Sequence, residues 1–166
     1  MKRFILGAGL AAMTWAGGVS AADDGCRRTT VFESGRDGYN TYRIPSVVAT
    51  AKGTLLAFCE GRRHGSGDAG DIDLLLKRST DGGATWSAAQ VVWDDGASTC
   101  GNPCAVVDRA SGAVRLLLTW NRGDDRESQI IDGKSRDTRR VFVTSSKDDG
   151  RDRKSTRLNS SHVSQT

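Results

Sequence analysis

The chain has 166 residues, among them 20 Gly and 2 Pro, with 37% hydrophobic and 27% charged residues; this composition is globular and excludes collagen-like or wholly disordered chains. The formal charge of +4 resides at the ends: with Lys2, Arg3 and the last sixteen residues set aside, positions 22–150 carry 18 basic against 19 acidic residues. No basic patch remains that would bind a nucleic acid.

Met1-Lys2-Arg3, the uncharged stretch Phe4 to Val19 and the small residues Val19-Ser20-Ala21 have the layout of a secretory signal peptide over residues 1–21. The apolar stretch is short and rich in Gly and Ala, so export to a secreted or periplasmic location is expected, with no membrane span after cleavage. Export makes Cys26, Cys59, Cys100 and Cys104 candidates for disulfides. Cys100 and Cys104 flank Gly101-Asn102-Pro103, and either a small-loop bridge or free thiols is open there. His64 and His162 do not combine with the cysteines at zinc spacing, and no metal or cofactor is expected.

The body then reads as short strands separated by turn residues. Strands are predicted at Tyr42–Thr50, Thr54–Glu60, Ile72–Ser79 and Trp86–Trp93, which together form an antiparallel four-stranded meander. A second pass follows at Pro103–Val107, Ala113–Trp120 and Arg140–Ser145; no helical period is sustained. The passes correspond. Pro45 and Pro103 both open a first strand, and Ser79-Thr80-Asp81-Gly82-Gly83 is matched by Ser146-Lys147-Asp148-Asp149-Gly150. A repeating four-stranded unit is the signature of a β-propeller, here with about two blades over residues 22–150. The final segment, residues 151–166, lacks a strand pattern and a counterpart of Trp86; it reads as a non-native, vector-like tail, expected to be disordered. The chain is accordingly expected to be a truncated one.

Ser79-x-Asp81-x-Gly83-x-x-Trp86 is a turn motif in which Ser and Asp bond to the backbone, Gly takes a positive φ and Trp packs beneath. It resembles the Asp box (BNR repeat) of sialidases and other propellers, where it is structural. Upstream, Tyr42-Arg43-Ile44-Pro45 resembles the [Phe/Tyr]-Arg-Ile-Pro motif of the exo-α-sialidase (neuraminidase) family, and Asp68 follows in a Gly-rich loop after Glu60-Gly61-Arg62. The resemblance runs from about Thr29 to Gly150, through Gly101-Asn102-Pro103 and Leu118-Thr119-Trp120-Asn121. It implies an all-β, six-bladed propeller, of which this chain holds the N-terminal part.

The implied activity is glycoside hydrolysis, the release of terminal α-linked sialic acids from glycoproteins, glycolipids or oligosaccharides with retention of configuration. A sialoside carries a carboxylate on its reacting carbon, and a planar guanidinium binds such a group through parallel hydrogen bonds. The resemblance assigns Arg43 to the first of three such arginines and Asp68 to the acid/base. Arg62 and Asn102 are further binding candidates, and Asp71 competes with Asp68 for the acid/base role. Asp73 is expected to be structural, and Trp120 to be a core aromatic. The family nucleophile is a Tyr with a Glu partner; Tyr39 and Tyr42 fall in the wrong region, so the chain alone is expected to be inactive. A non-catalytic Asp-box propeller that binds glycans or proteins, and a glycosidase of other specificity, are the alternatives.

Overall fold

The computed structural model describes residues 27–151 and, as backbone, the strand residues 159–160; the predicted signal peptide, Cys26 and most of the final segment lie outside the described residues. The elements are β1 (Thr41–Ala49), β2 (Leu55–Arg62), β3 (Ile72–Ser79), β4 (Gln90–Trp93), β5 (Thr99–Val107), β6 (Val114–Asn121), α1 (Glu127–Ile131), β7 (Arg140–Ser146) and β8 (Asn159–Ser160). Strands β1 to β4 pair antiparallel with their neighbours, and so do β5 to β8. The two meanders meet at one parallel pair, Ile72 with Thr99. The fold is all-β, and its two meanders are blades of a propeller.

The side-chain period of two decides which face each residue serves. Leu56 and Phe58 of β2 and Leu74 and Leu76 of β3 point towards the second blade. They form the core with Val114, Leu116 and Leu118 of β6. Glu60 and Arg62 continue the Leu56–Phe58 alternation, so the face that builds the core also carries charged groups at its end. The opposite face buries Leu75 and Asp73, with Tyr39 packed near Gly61.

Four differences from the sequence reading have local causes. Strand β4 starts at Gln90 rather than Trp86, because the Asp-box turn runs on to Trp86 and Ser87 is held by Arg78 through two hydrogen bonds. Strand β5 starts at Thr99, ahead of Pro103: the ladder shifts register between Gly101 and Cys104, and that bulge accommodates the proline. Helix α1, which no periodicity announced, is five residues long, and the Gln129 side chain accepts the Arg126 N–H at 2.8 Å. Asn159 and Ser160, in the segment read as strandless, pair with β7, whose open edge is a template for any extended backbone.

Both boxes are built alike. Ser79 Oγ accepts the Gly83 N–H at 2.8 Å and donates to Asp81 at 2.7 Å; Ser146 Oγ accepts the Gly150 N–H at 2.8 Å and donates to Asp148 at 2.6 Å. Gly82 and Gly83 have φ of 69° and 89°, Asp149 and Gly150 of 59° and 71°. The repeat seen in the sequence is thus a repeat of backbone geometry. Cys59, Cys100 and Cys104 are free, so the bridge left open between Cys100 and Cys104 is not formed: the first is buried and the second exposed, across the β5 register shift.

Candidate active site

One end of the sheet collects the start of β1, the end of β2, the loop 63–71, the start of β5 and the end of β6. The Asp boxes lie at the other end, after β3 and β7, away from Arg43 and Asp68. The sequence therefore delivers its two kinds of motif to opposite ends of the strands.

Arg43 sits on β1 opposite Glu60, immediately before an interruption of the β1–β2 ladder that extends to Ser46. Ile44 has φ 55° there, a left-handed conformation that costs a β-branched residue about 1–3 kcal/mol. Pro45 offers no N–H. The Arg43 carbonyl instead accepts the Cys59 thiol at 3.0 Å. Burial, first, and the nearby Glu60 push that thiol up to about 11, so it stays a neutral donor. Asn102 repeats the arrangement on β5, with φ 52° ahead of Pro103.

Asp68 lies in the loop between β2 and β3 and faces both arginines. Its Oδ1 accepts Arg43 Nη1 at 2.7 Å and Arg62 Nη1 at 2.8 Å. Arg62 Nη1 also donates to the carbonyls of Ser66 and Gly67, at 2.6 and 2.8 Å, and Arg43 Nη1 to Ser66 at 3.3 Å. The loop is closed at its far end by Thr99, whose hydroxyl bridges the Gly70 N–H and C=O. The hydrogen bond from Arg62, then the charges of Arg62 and Arg43, hold Asp68 below the usual carboxylate range.

Accessibility separates the roles these groups can take. The side chains of Arg43 and Asp68 are 43% and 64% exposed, whereas that of Arg62 is 4% exposed. Arg62 is fully engaged: its Nε and Nη2 donate to Glu60 Oε2 at 3.1 and 2.6 Å. Burial works against its charge, but the hydrogen bonds to Glu60 and Asp68 outweigh that and raise its pKa. The Asn102 side chain turns to Thr119 Oγ1 at 2.8 Å, and its backbone N–H reaches Glu60 Oε1 at 2.9 Å. Arg43, Asp68 and Arg62 are thus brought together, and Asn102 is joined to them through Glu60.

Asp71 is drawn elsewhere. Its neighbour in charge is Arg63, which alternates to the opposite strand face from Arg62 and donates to Asp71 at 3.1 Å and to Asp73 at 2.6 Å. Asp73 is fully buried and also accepts the Tyr39 hydroxyl at 2.6 Å. Burial and that hydrogen bond raise the Tyr39 pKa well above the ordinary phenol value; Tyr42, pushed up to about 12 chiefly by burial, donates to the Arg36 carbonyl at 2.8 Å. Neither tyrosine contacts Asp68. Trp120, expected in the core, is half-buried at the surface: it donates to Asp95 at 2.7 Å and carries Arg140 5.1 Å above its ring. A cavity lined by Val48, Ala49, Thr50, Ala51, Val107 and Arg109 opens at the opposite end and contains no carboxylate.

Glu60 and Cys59 are the residues that sequence reasoning passed over. The one available signal was a carboxylate directly after the apolar run Leu55–Cys59, two positions before Arg62 and so on its face of the strand.

Known proteins bear on this geometry. A family model described as a BNR repeat-like domain matches residues 53–164. The exo-alpha-sialidase of Aspergillus fumigatus is 38% identical over 130 residues, which covers 68% of this chain and 32% of that protein. Human sialidase-4 is 36% identical over 129 residues, 74% of this chain and 26% of that protein. Among solved structures, the Hadza microbial sialidase Hz136 superimposes with a TM-score of 0.63 at 28% identity, over 71% of this chain and 26% of that one. The chain thus spans about a third or less of the length of these relatives. From the repeated boxes, the matching family model and these relatives, the chain belongs to the sialidase family with BNR repeats.

Proposed function

We propose that this chain forms the part of an exo-α-sialidase that meets the carboxylate and the glycosidic oxygen of a terminal sialic acid. The observation that supports it is the pairing of Arg43 with Asp68 at 2.7 Å, both exposed, at the end of the sheet away from the Asp boxes. Arg43 offers its guanidinium to the sugar carboxylate. Asp68 protonates the departing oxygen and then takes a proton from the attacking water, the double duty of one carboxyl in a retaining mechanism.

On this reading the ion pair between Arg43 and Asp68 also prepares the acid. Asp68 occupies Arg43 itself, so an incoming carboxylate has to take its place. The exchange removes one guanidinium from Asp68 and adds a negative neighbour, and both changes raise its pKa. Substrate binding thus favours the protonated form that the first step requires. Arg62, too buried to reach the sugar, holds the loop that carries Asp68. Tyr39 and Tyr42, the only tyrosines of the sequence, are committed elsewhere, so on this reading the 166 residues alone do not turn over. The relatives' names include sialidase, which supports sialylated glycans as the substrate class; an extracytoplasmic location suits such substrates.

The test is hydrolysis of a sialic acid conjugate by the protein extended to the length of its relatives. Asp68→Ala should lower turnover by about 10²-fold or more, and Asp71→Ala should leave most of it. The reverse pattern reassigns the acid/base to Asp71. Glycan binding without turnover in the unaltered protein would instead favour a non-catalytic binding module.

A further inference from the structure

Glu60 is 3% exposed and lies behind Arg62, out of reach of any ligand on Arg43. Both of its oxygens are used. Oε2 accepts Arg62 Nε and Nη2, at 3.1 and 2.6 Å, and Oε1 accepts the Asn102 N–H at 2.9 Å. The second contact leaves the first blade and enters the backbone of the next.

Three features of the chain build this contact. The period of two puts Glu60 on the same face as Arg62. Asn102, with φ 52° at the register shift, turns its N–H out of the β5–β6 ladder. Gly101 leaves room, because a Cβ there would stand 2.2 Å from Glu60 Oε1. A carboxylate this deep needs partners on every side to offset its desolvation, and it has them.

We propose that Glu60 is a positioning residue: it grips Arg62 from behind and fastens it to the second blade, so that Nη1 stays turned to Ser66, Gly67 and Asp68 and keeps the 63–71 loop beside Arg43. The functional meaning rests on the reading of Arg43 and Asp68 as the ligand-facing pair. The fastening itself is tested without a ligand.

The sign of one shift separates positioning from simple charge. Were Glu60 only a nearby negative charge, removing it would leave Asp68 in a more positive field and lower its pKa further. If Glu60 holds Arg62 in place, removing it frees the guanidinium, and the Asp68 pKa rises. A role confined to fold stability would leave Asp68 where it is.

The experiment is an NMR titration of the Asp68 carboxyl in the full 166-residue chain and in Glu60→Gln, whose single acceptor oxygen cannot serve both Arg62 and Asn102. A rise in the Asp68 pKa of about 0.5 or more is expected; no change, or a fall, overturns the proposal. A second measurement uses the unaltered chain and does not depend on the variant folding. The Arg62 Nε–H should exchange with water at least about tenfold more slowly than that of Arg43, as expected for a buried, charge-assisted bond; equal rates overturn the proposal. Failure of N-acetylneuraminic acid to perturb Arg43 would sink the sialoside reading and leave both results untouched.

Discussion

Gly101→Ala probes the junction between the two blades with the smallest possible change. The added methyl would lie 2.2 Å from Glu60 Oε1 and 2.8 Å from its Cδ, well inside contact distance. Glu60 is buried and hydrogen-bonded on both oxygens, so its carboxylate cannot swing into solvent. It must withdraw from Asn102, losing a 2.9 Å hydrogen bond to a charged acceptor, and shift against Arg62. Loss of one charged hydrogen bond costs about 1.5–3 kcal/mol, and partial exposure of a buried ion pair adds to it, so a total of about 3 kcal/mol is expected. Gly67→Ala is the control. There the new Cβ meets only the Ala69 carbonyl at 3.8 Å, and the change should stay within about 0.5 kcal/mol of neutral. Urea denaturation followed by tryptophan fluorescence measures both. Equal stabilities for Gly101→Ala and Gly67→Ala would refute the packing of Glu60 against β5.

Ser79→Ala removes a buried hydroxyl that accepts the Gly83 N–H and donates to Asp81, and should cost about 1–3 kcal/mol in the same assay; a change below about 0.5 kcal/mol would show that the box contributes little. Asp68, Asp81, Asp108 and Asp124 all have lowered pKa values in the folded state, owing first to hydrogen bonds from Arg62, Thr85, Ser111 and Arg122. Their stabilisation is therefore present above the unfolded carboxylate value of about 3.9 and is lost as pH falls below it. The thermal midpoint should drop between about pH 4 and pH 2, and a flat profile over that window would contradict the assignment. Alkylation of the native chain read by mass spectrometry should mark Cys104 while leaving Cys59 and Cys100 protected until unfolding; Cys59 labelled as fast as Cys104 would contradict its burial against the Arg43 carbonyl.

Strand β3 was legible to the residue, because its apolar centre Leu74–Leu76 lies between a Gly-rich loop and an Asp-Gly-Gly turn that mark its two ends. The two boxes were legible for the same reason: their chemistry is local. The start of β5 was not. Pro103 looks like a strand opener, and only the partner strand reveals that a bulge at Asn102 lets the ladder begin at Thr99. Helix α1 is too short for any 3.6-residue period to register. The candidate site divides in the same way. Arg43 and Asp68 stood out through motif and spacing, and the structure sets them side by side. Glu60 did not, since its partner Asn102 lies 42 residues further along and the contact depends on a backbone turned out of its ladder. Arg62 stood out as a binding candidate through its motif, but its 4% side-chain exposure and its bonds to Glu60 and Asp68 depend on contacts that the sequence does not carry.

A ligand carboxylate and Asp68 are expected to compete for Arg43, whose Nη1 already donates to Asp68 at 2.7 Å. The most direct measurement is an NMR titration of the Asp68 carboxyl and the Arg43 side chain with N-acetylneuraminic acid at increasing concentration. Saturable shifts at Arg43, accompanied by a rise in the Asp68 pKa and abolished by Arg43→Met, are expected. Binding that leaves Asp68 unmoved, or that survives loss of the Arg43 guanidinium, would contradict it.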